Sequence, residues 1–374
     1  MLVDPRMRKL AHNLVNYSCS VRRGENVWIE AYGVDAAFVN CLVEEVYAAG
    51  GYPYVSLYDN RVQRAVMKGM DETLADRMRA FDAPKMDAMQ CYIGVRGGEN
   101  PYETSDIPAD RTAAYSKFYS LPVHHDRRVA KTKWVILRWP TQGMSSMSGM
   151  STENFEDFFF KVCNLDYRRM DEAMTPLVEL MNATDRVRLS APGTDLEFSI
   201  KDIPAVKCCG LRNIPDGEVY TAPVRDSVNG RITYNIPSPH DGIRFENISL
   251  LFKDGKIIDA SANDTAAINK IFDTDEGARY VGEFSLGVNP FITRAMGDIL
   301  FDEKIRGSLH FTPGSCYDEA FNGNRSAIHW DLVLDMSADK GGGEIYFDGR
   351  LIRKDGVFVV KELEGLNPEN LGRE

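Results

Sequence analysis

Tight-turn dipeptides are distributed very unevenly along this chain of 374 residues. All Asp-Gly and Asn-Gly pairs lie beyond residue 215, and they begin at Asp216, Asn229, Asp241, Asp254, Asn322, Asp348 and Asp355. Such pairs tolerate the positive φ angles that two-residue hairpin turns require. The second half of the chain is therefore predicted to be antiparallel sheet, and the first half must be built differently.

The first half alternates short apolar runs with helical patterns. The predicted strands are residues 27–31, 53–58, 89–95 and 133–139, and the predicted helices are residues 35–49, 71–81 and 154–163. Strands that alternate with helices indicate parallel βαβ units. We predict an α/β protein in which an N-terminal parallel α/β domain, residues 1–183, is followed by a β-rich α+β domain, residues 184–374. The Met- and Ser-rich segment 143–150 resembles a flexible linker.

Charge and cysteine content restrict the partners and the compartment. The chain has 44 Lys and Arg against 55 Asp and Glu, a net charge of −11, which disfavours nucleic acids and anionic membranes as partners. An acidic cleft would instead attract metal ions or the ammonium group of a peptide. The cysteines form no C-x-x-C pair, and the sequence shows no signal peptide and no membrane span. We therefore expect a cytoplasmic protein.

The common enzyme motifs are missing from the sequence. It contains neither the G-x-G-x-x-G nor the G-x-x-x-x-G-K-[ST] pattern of nucleotide-binding folds. The G-x-S-x-G nucleophile elbow of α/β-hydrolases and the H-E-x-x-H helix of zinc peptidases are also missing. Catalytic chemistry, if present, must come from another set of residues.

The clearest candidate ligands are His329 and Asp331, in an apolar run over residues 326–334 that is predicted to be a strand. Side chains two residues apart on a strand project from the same face, whereas Trp330 would point the other way. Read alone, such a pair is more often a surface or hydrogen-bonded pair than a metal site. His310, if it is not simply a core histidine, would complete a facial triad for a mononuclear iron centre.

Two glutamates favour a larger site. Glu218 and Glu283 are both flanked by glycine and apolar residues. A carboxylate in such surroundings is buried or half-buried, which is costly without a cation. Taken singly, each glutamate could instead be exposed or hydrogen-bonded, without binding a cation. Among the weaker candidates, His124 and His125 precede charged residues and are predicted to lie in a solvated loop, and Cys208 and Cys209 are predicted to be buried thiols.

Several motifs together resemble the thermophilic aminopeptidase family of metallopeptidases, the group of aminopeptidases T and S. In order along the chain they are residues 213–223 (NIPDGEVYTAP), Gly282-Glu283 with Leu286-Gly287 and Asn289-Pro290, residues 302–310 (DEKIRGSLH), and Ser326 with His329-Trp330-Asp331. The resemblance extends over nearly the whole chain, and the C-terminal motifs are the specific ones. The loop 311–328 is shorter than is usual in the family, and segment 143–150 is atypical.

The resemblance implies both a site and an activity. The family binds two divalent ions, here Zn, Co or Mn, through positions that match Glu218, Glu283, His310, His329 and Asp331. It also implies hydrolysis of the N-terminal residue from peptides with a free N-terminus, by homodimers. Two such ions activate a water molecule and polarise a carbonyl. Tyr317 matches the active-site tyrosine of the family and would donate to the oxyanion. Glu218 and Glu283 are the predicted catalytic carboxylates. The sequence does not decide which of them, if either, also accepts the proton of the water molecule, and Glu303 is a further candidate for that role.

Two other functions compete with the aminopeptidase. The first is a mononuclear non-haem iron dioxygenase that uses His310, His329 and Asp331. Such a triad has no need of Glu218 or Glu283, so these two residues distinguish the two enzymes. The second is a binding protein that has kept the scaffold and lost the activity, and the presence of all five ligand types argues against it.

Overall fold

A computed structural model describes residues 3–100, 102–240 and 242–373. The chain forms two compact units, which are described separately. The first contains the chain up to Asn164 together with Gly210–Pro215, and the second contains Leu165–Cys209 and the chain from Asp216 onward. The predicted turn at Asp241 lies outside the described residues.

Up to Cys163 the chain alternates helices with strands. The elements are α1 (Pro5–Asn13), β1 (Asn26–Tyr32), α2 (Ala36–Ala48), β2 (Tyr52–Tyr58), α3 (Asn60–Lys68), α4 (Glu72–Asp87), β3 (Cys91–Arg96), α5 (Ala109–Tyr115), β4 (Lys133–Arg138), α6 (Gln142–Met147) and α7 (Thr152–Cys163). All four predicted strands and all three predicted helices of this half are present.

The segment predicted to be a flexible linker is helix α6, and that prediction is wrong. Thr141 caps the helix, since its hydroxyl accepts a hydrogen bond from the backbone N–H of Met144 at 3.3 Å. The hydroxyls of Ser145 and Ser148 donate to backbone carbonyls three residues earlier, at 2.9 Å each. Serines that would suit a linker therefore serve here as local hydrogen-bond partners of a short helix.

Most of the regular elements in the remaining chain are strands. Its elements are α8 (Tyr167–Ala183), β5 (Arg186–Ala191), β6 (Thr194–Ser199), β7 (Val206–Cys208), β8 (Asn213–Ile214), β9 (Glu218–Thr221), β10 (Asn229–Thr233), β11 (Ser238–His240), β12 (Ile243–Phe245), β13 (Ser249–Lys253), β14 (Lys256–Ser261), α9 (Thr265–Phe272), β15 (Val281–Gly287), α10 (Ile299–Asp302), β16 (Ser308–Pro313), β17 (Val333–Asp335), β18 (Glu344–Phe347), β19 (Arg350–Lys354), β20 (Val357–Phe358) and α11 (Pro368–Leu371). Helix α8 belongs to the second unit, and the domain boundary at 183/184 stays a prediction.

The first unit is built on one parallel sheet in the order β2-β1-β3-β4-β8. Aspartates start its helices: Asp35 and Asp71 accept hydrogen bonds from the first turns of α2 and α4. The interior of this unit also contains a buried charge, because Glu30 accepts hydrogen bonds from Arg96, at 2.6 Å, and from Tyr92. Such a polar network stabilises a core only when its members are paired, as these are.

His124 does not lie in a solvated loop, so that prediction is wrong for this residue. It belongs to a wide-turned helical segment, Ser116–Val129, and packs edge-on against Tyr92 and Tyr119 with ring centroids 6.0 and 5.8 Å away. Burial lowers the pKa of its imidazole to about 4, because the charged form would lose its hydration. His125, the next residue, is exposed as predicted.

The second unit contains antiparallel sheets, which confirms the fold predicted from the turn dipeptides. One has the order β14-β13-β10-β6-β5-β18-β19-β20, a second β17-β16-β15-β9-β7, and β11 pairs with β12. Hairpin turns with positive φ at both residues occur at Asp254-Gly255, Asp348-Gly349 and Asp355-Gly356. Asp216 instead precedes β9, and Asn229 lies within β10. No helix of the described chain has both the length and the apolar character needed to cross a bilayer.

Candidate metal centre

The register of the antiparallel sheet β17-β16-β15-β9-β7 brings three of the candidate ligands to one face. Ser285 on β15 lies opposite Tyr220 on β9 and opposite His310 on β16. Since side chains alternate between the two faces of a strand, Glu218, Glu283 and His310 project from the same face as Ser285. All three ligands are buried. Strand pairing therefore collects residues that are far apart in the sequence.

His329 and Asp331 come from a segment that is extended but mostly unpaired. Of the predicted strand 326–334, only the part from Val333 onward belongs to β17. The two side chains nevertheless converge as predicted, with His329 Nε2 3.2 Å from Asp331 Oδ1. Trp330 is buried, and its indole Nε1 donates to a serine hydroxyl at 2.8 Å.

The five candidate ligands form two groups that share one carboxylate. Glu218, Glu283 and His310 supply ligand atoms that all lie within 4.8 Å of one another, and we name this group the first metal position. Glu283, His329 and Asp331 do the same, and we name this group the second metal position. Glu283 Oε1 lies 3.1 Å from His310 Nε2, and Glu283 Oε2 lies 3.3 Å from His329 Nε2. A carboxylate placed in this way can serve two cations at once.

Both imidazoles are oriented by backbone carbonyls. His310 Nδ1 lies 3.3 Å from the carbonyl oxygen of Glu303, and His329 Nδ1 lies 2.7 Å from that of Ser315. A carbonyl oxygen can only accept, so Nδ1 carries a proton and Nε2 faces the carboxylates. This arrangement of the second ring nitrogen is the usual one for metal-binding histidines.

One buried atom lacks the partner that a cation would supply. His329 Nε2 has no hydrogen-bond partner, although carboxylate oxygens of Glu283 and Asp331 lie within about 3.3 Å of it. Buried polar atoms are rarely left in this state. A divalent ion among these atoms would be coordinated by Nε2 and by both carboxylates. The donor set of three carboxylates and two imidazoles thus fits divalent ions such as Zn, Mn or Co.

The electrostatics of the cluster are those of tightly paired opposite charges. Burial alone would lower the pKa of His310, but Glu218 and Glu283 outweigh it and raise that pKa to about 10. The pKa of His329 is likewise raised, because Asp331 and Glu283 outweigh its burial. The imidazoles in turn hold the pKa values of Glu283 and Asp331 below their usual range, against the effect of burial. Metal ions that bind here must replace protons on the imidazoles.

Hydroxyl groups that the sequence analysis did not identify support the carboxylates. Ser285 Oγ donates to Glu218 Oε2 at 3.0 Å, and Thr312 Oγ1 donates to Asp331 Oδ1 at 2.8 Å. Each hydroxyl residue lies two positions after a ligand, Glu283 or His310, on the same strand face. The period of two along a strand was the available signal for both.

Tyr317 lies at the edge of the cluster. Its ring centroid is 4.8 Å from that of His329 and 5.6 Å from that of Tyr220. Nearly half of its surface is exposed (47%), so a substrate could reach it. Partial removal of the hydroxyl group from water and the negative charges of Glu283 and Asp331 raise the pKa of Tyr317, which keeps the hydroxyl protonated. Gly314, three residues before Tyr317, has a φ of 110°. A Cβ at this position would lie 2.1 Å from the carbonyl oxygen of Ile328, so the backbone here has no room for a side chain.

The geometry does not favour the facial triad. His310, His329 and Asp331 do not form a ligand group by themselves, because Glu283 lies between the two imidazoles. Both groups that contain these residues also include Glu283. The five candidate ligands thus form two groups with one carboxylate in common, rather than a separate group of two imidazoles and one carboxylate.

Curated proteins with similar sequences are named aminopeptidases. Aminopeptidase PepS from Streptococcus thermophilus is 24% identical over 408 residues, which cover 94% of this chain and 95% of the relative. Aminopeptidase T from Thermus aquaticus is 25% identical over 404 residues, which cover 94% of this chain and 96% of the relative.

Two solved structures are similar in fold. Wild-type AmpT from Thermus thermophilus superposes with a TM-score of 0.79 at 22% identity, over 95% of this chain and 99% of that one. A 2,5-dihydroxypyridine dioxygenase from Pseudomonas putida KT2440 has a TM-score of 0.62 at 13% identity, over 97% of this chain and 100% of that one. Residues 3–357 match the family described as thermophilic metalloprotease (M29). The resemblance inferred from the motifs is therefore confirmed, and this chain belongs to the thermophilic metalloprotease (M29) family.

Proposed function

We propose that this chain is a metal-dependent aminopeptidase that holds two divalent cations. Glu218, Glu283 and His310 bind the first, and Glu283, His329 and Asp331 bind the second. The observation that carries the proposal is the position of Glu283, whose two carboxylate oxygens each face a different imidazole, at 3.1 and 3.3 Å. Family membership and the names of the relatives support the same activity.

The protein's own residues prepare the site. Two divalent cations bound here supply a water molecule of lowered pKa and a Lewis acid for the scissile carbonyl. The catalytic contribution of Glu218 and Glu283 is to hold both cations at fixed positions. Ser285 and Thr312 orient the carboxylates of Glu218 and Asp331 through their hydroxyl groups. Residues that support ligands in this way commonly set metal affinity as much as the ligands do.

Tyr317 is the proposed oxyanion donor. Its phenol is protonated, it lies beside the ring of His329, and it is accessible from solvent. A hydrogen bond from this hydroxyl to the carbonyl oxygen would strengthen as negative charge develops there, and donors of this kind lower the barrier of acyl transfer.

The proposed substrates are peptides with a free N-terminus. The negative net charge of the chain, −11, is suited to attract the ammonium group of such a peptide. We also propose that the protein acts as a homodimer in the cytoplasm. None of the seven cysteines is in a disulfide bond, which suits a reducing compartment. Light scattering in solution would give the mass of the assembly and would contradict the homodimer if it gave the mass of one chain.

Metal analysis combined with peptide hydrolysis tests the function. We expect two divalent ions per chain, loss of aminopeptidase activity after chelation, and recovery when a divalent ion is returned. Glu218→Gln should lose one ion and most of the activity, whereas Glu276→Gln, which changes a carboxylate on the surface, should change neither. A single Fe(II) per chain together with oxygen consumption would favour the dioxygenase. Two bound ions without any hydrolysis would favour a binding protein.

A further inference from the structure

A buried lysine contacts one of the proposed ligands. The side chain of Lys304 is fully buried (0% exposed), and its Nζ lies 3.4 Å from Glu218 Oε1. The same ammonium group pairs with the carboxylate of Glu303. Lysine is seldom buried completely unless carboxylates surround it. The function proposed above gives this residue no role.

Lys304 also accounts for a third group of metal-ligating side chains. Cys208, Asp216 and Glu218 supply atoms that all lie within 4.8 Å of one another. The negative charges of Asp216 and Glu218 both act on the ammonium of Lys304. A positive charge is therefore already present beside these carboxylates, and a third metal ion is not needed to explain them.

Glu218 consequently faces two different neighbours. Its Oε1 atom faces Lys304, whereas its Oε2 atom lies 3.4 Å from His310 Nε2 and accepts a hydrogen bond from Ser285. The ammonium thus lies beside one of the two oxygens that Glu218 could offer a cation. The other oxygen, Oε2, is the one that lies beside His310 of the first metal position.

The second metal position has no such neighbour. In the part of the chain that the structure describes, Glu283 and Asp331 form ion pairs with histidines and with no Lys or Arg. The second position is also closer to solvent, since the side chain of His329 is 23% exposed and that of His310 only 1%. The two positions share Glu283 but differ in the fixed charge beside them.

We propose that Lys304 makes the two metal positions unequal, so that the first binds a divalent cation more weakly than the second. The inference rests on the proposed binding of two cations. Its physical basis is the repulsion between a fixed ammonium and a nearby cation, which is strong where water is excluded. Lys304 acts through Glu218 and is a positioning residue, since it belongs to neither group of ligands.

Glu303 provides the means to separate charge from packing. Its carboxylate pairs with Lys304, and it belongs to neither metal position. Lys304→Met removes the ammonium group, Glu303→Gln removes the carboxyl group that pairs with it, and the double variant removes both with little change in volume. If charge decides the affinity, the two single variants must act in opposite directions and the double variant must lie near the wild type.

The test is calorimetric titration of the metal-free protein with Co²⁺, followed in parallel by the visible absorption of the bound ion. We expect two binding steps at least ten-fold apart in Kd in the wild type. Glu218→Gln should remove the weaker step and Asp331→Asn the stronger one. Lys304→Met should tighten the weaker step by about 10- to 100-fold, the range seen when neighbours of metal ligands are changed. Lys304→Arg should retain the wild-type pattern, as should the surface control Lys201→Met.

The outcomes separate this inference from the function on which it rests. A wild type that binds fewer than two ions overturns the proposal of two cations, and this inference with it. If the wild type binds two ions but Lys304→Met leaves the affinity of the weaker step unchanged or lowers it, this inference alone is overturned. If Lys304→Met does not fold, the double variant and Glu303→Gln still decide. Two results would contradict the role of charge. One is a Glu303→Gln variant that lowers the Kd of the weaker step. The other is a double variant whose Kd differs from that of the wild type as much as the Kd of either single variant does.

Discussion

Glu283 on β15 and His310 on β16 are diagonal neighbours on one face of the sheet, with Glu283 Oε1 3.1 Å from His310 Nε2. The other oxygen of the same carboxylate lies 3.3 Å from His329 Nε2. Both imidazoles present Nε2 because backbone carbonyls hold their Nδ1 atoms. Glu283 is thus the residue through which the two metal positions depend on each other.

Glu283→Gln should therefore weaken both ions at once. The amide offers one neutral oxygen in place of two charged ones, so each position loses a ligand or its charge. We expect metal content to fall toward zero after dialysis and activity to fall at least about 100-fold, consistent with loss of metal-assisted hydrolysis. Elemental analysis gives the stoichiometry. A variant that keeps one ion at wild-type affinity would show that Glu283 is not shared.

His329→Ala and Asp331→Ala should remove the ion at the second position while the fold persists. Each change leaves a charged neighbour with fewer partners, so the free energy of unfolding should drop by about 1–3 kcal/mol. Denaturant unfolding and metal analysis measure the two effects separately. His12→Ala is the matched control, since His12 is exposed on α1. Full occupancy and normal kcat in both variants would refute the assignment.

Tyr317→Phe should lower kcat by roughly 10²–10³ with little change in KM, as expected when one oxyanion donor is lost. The ring stays, so its contact with His329 and the metal content should stay as well. Steady-state kinetics on an aminoacyl amide measure the effect. Tyr346→Phe, which removes a hydroxyl bonded to Glu344, is the control. A loss of stability with kcat preserved would show that Tyr317 only packs.

His124 should make the first unit sensitive to acid. Its pKa is about 4 in the folded protein and about 6.5 when unfolded, so the unfolded chain binds the proton more readily. The free energy of unfolding should therefore decrease as the pH falls from 6.5 toward 4. The total decrease should be roughly 3 kcal/mol.

Comparison of His124→Asn with the wild type in urea at several pH values tests this. The variant should lose less stability than the wild type between pH 6.5 and 4. His125→Asn, at the exposed neighbour, should retain the wild-type dependence. Equal pH dependence of His124→Asn and the wild type would mean that the buried imidazole is not responsible.

The sequence predicts the fold class because its local signals are strong. The Asp-Gly pairs at 254, 348 and 355 do form hairpin turns with positive φ, and capping aspartates such as Asp35 start helices where expected. Local sequence signals fail where the same short pattern is compatible with two structures, such as a linker and a short helix. Segment 143–150 has the composition of a linker, yet Thr141 and nearby serines provide the hydrogen bonds of helix α6.

The site is predictable as a set of ligands and unpredictable as a network. His329 and Asp331 are two residues apart, so their convergence follows from the geometry of an extended chain. The proximity of Glu283 to His310 depends on the register between β15 and β16, which no local pattern determines. Lys304 directly follows Glu303 in the sequence, and only the structure shows that its side chain is buried against Glu218.

Metal binding should release protons from the two histidines. In the metal-free protein the carboxylates raise the pKa of His310 to about 10, so its imidazole carries a second proton at pH 7.5, and the pKa of His329 is raised in the same direction. A cation needs the lone pair of Nε2, so binding must displace that proton, and the apparent affinity must fall as the pH falls. We expect proton release at pH 7.5 and less release above pH 10. Calorimetric titration in buffers of different ionisation enthalpy measures the number of protons released, and His329→Ala should reduce it. Heats that do not depend on the buffer would show that the imidazoles are neutral before the metal arrives.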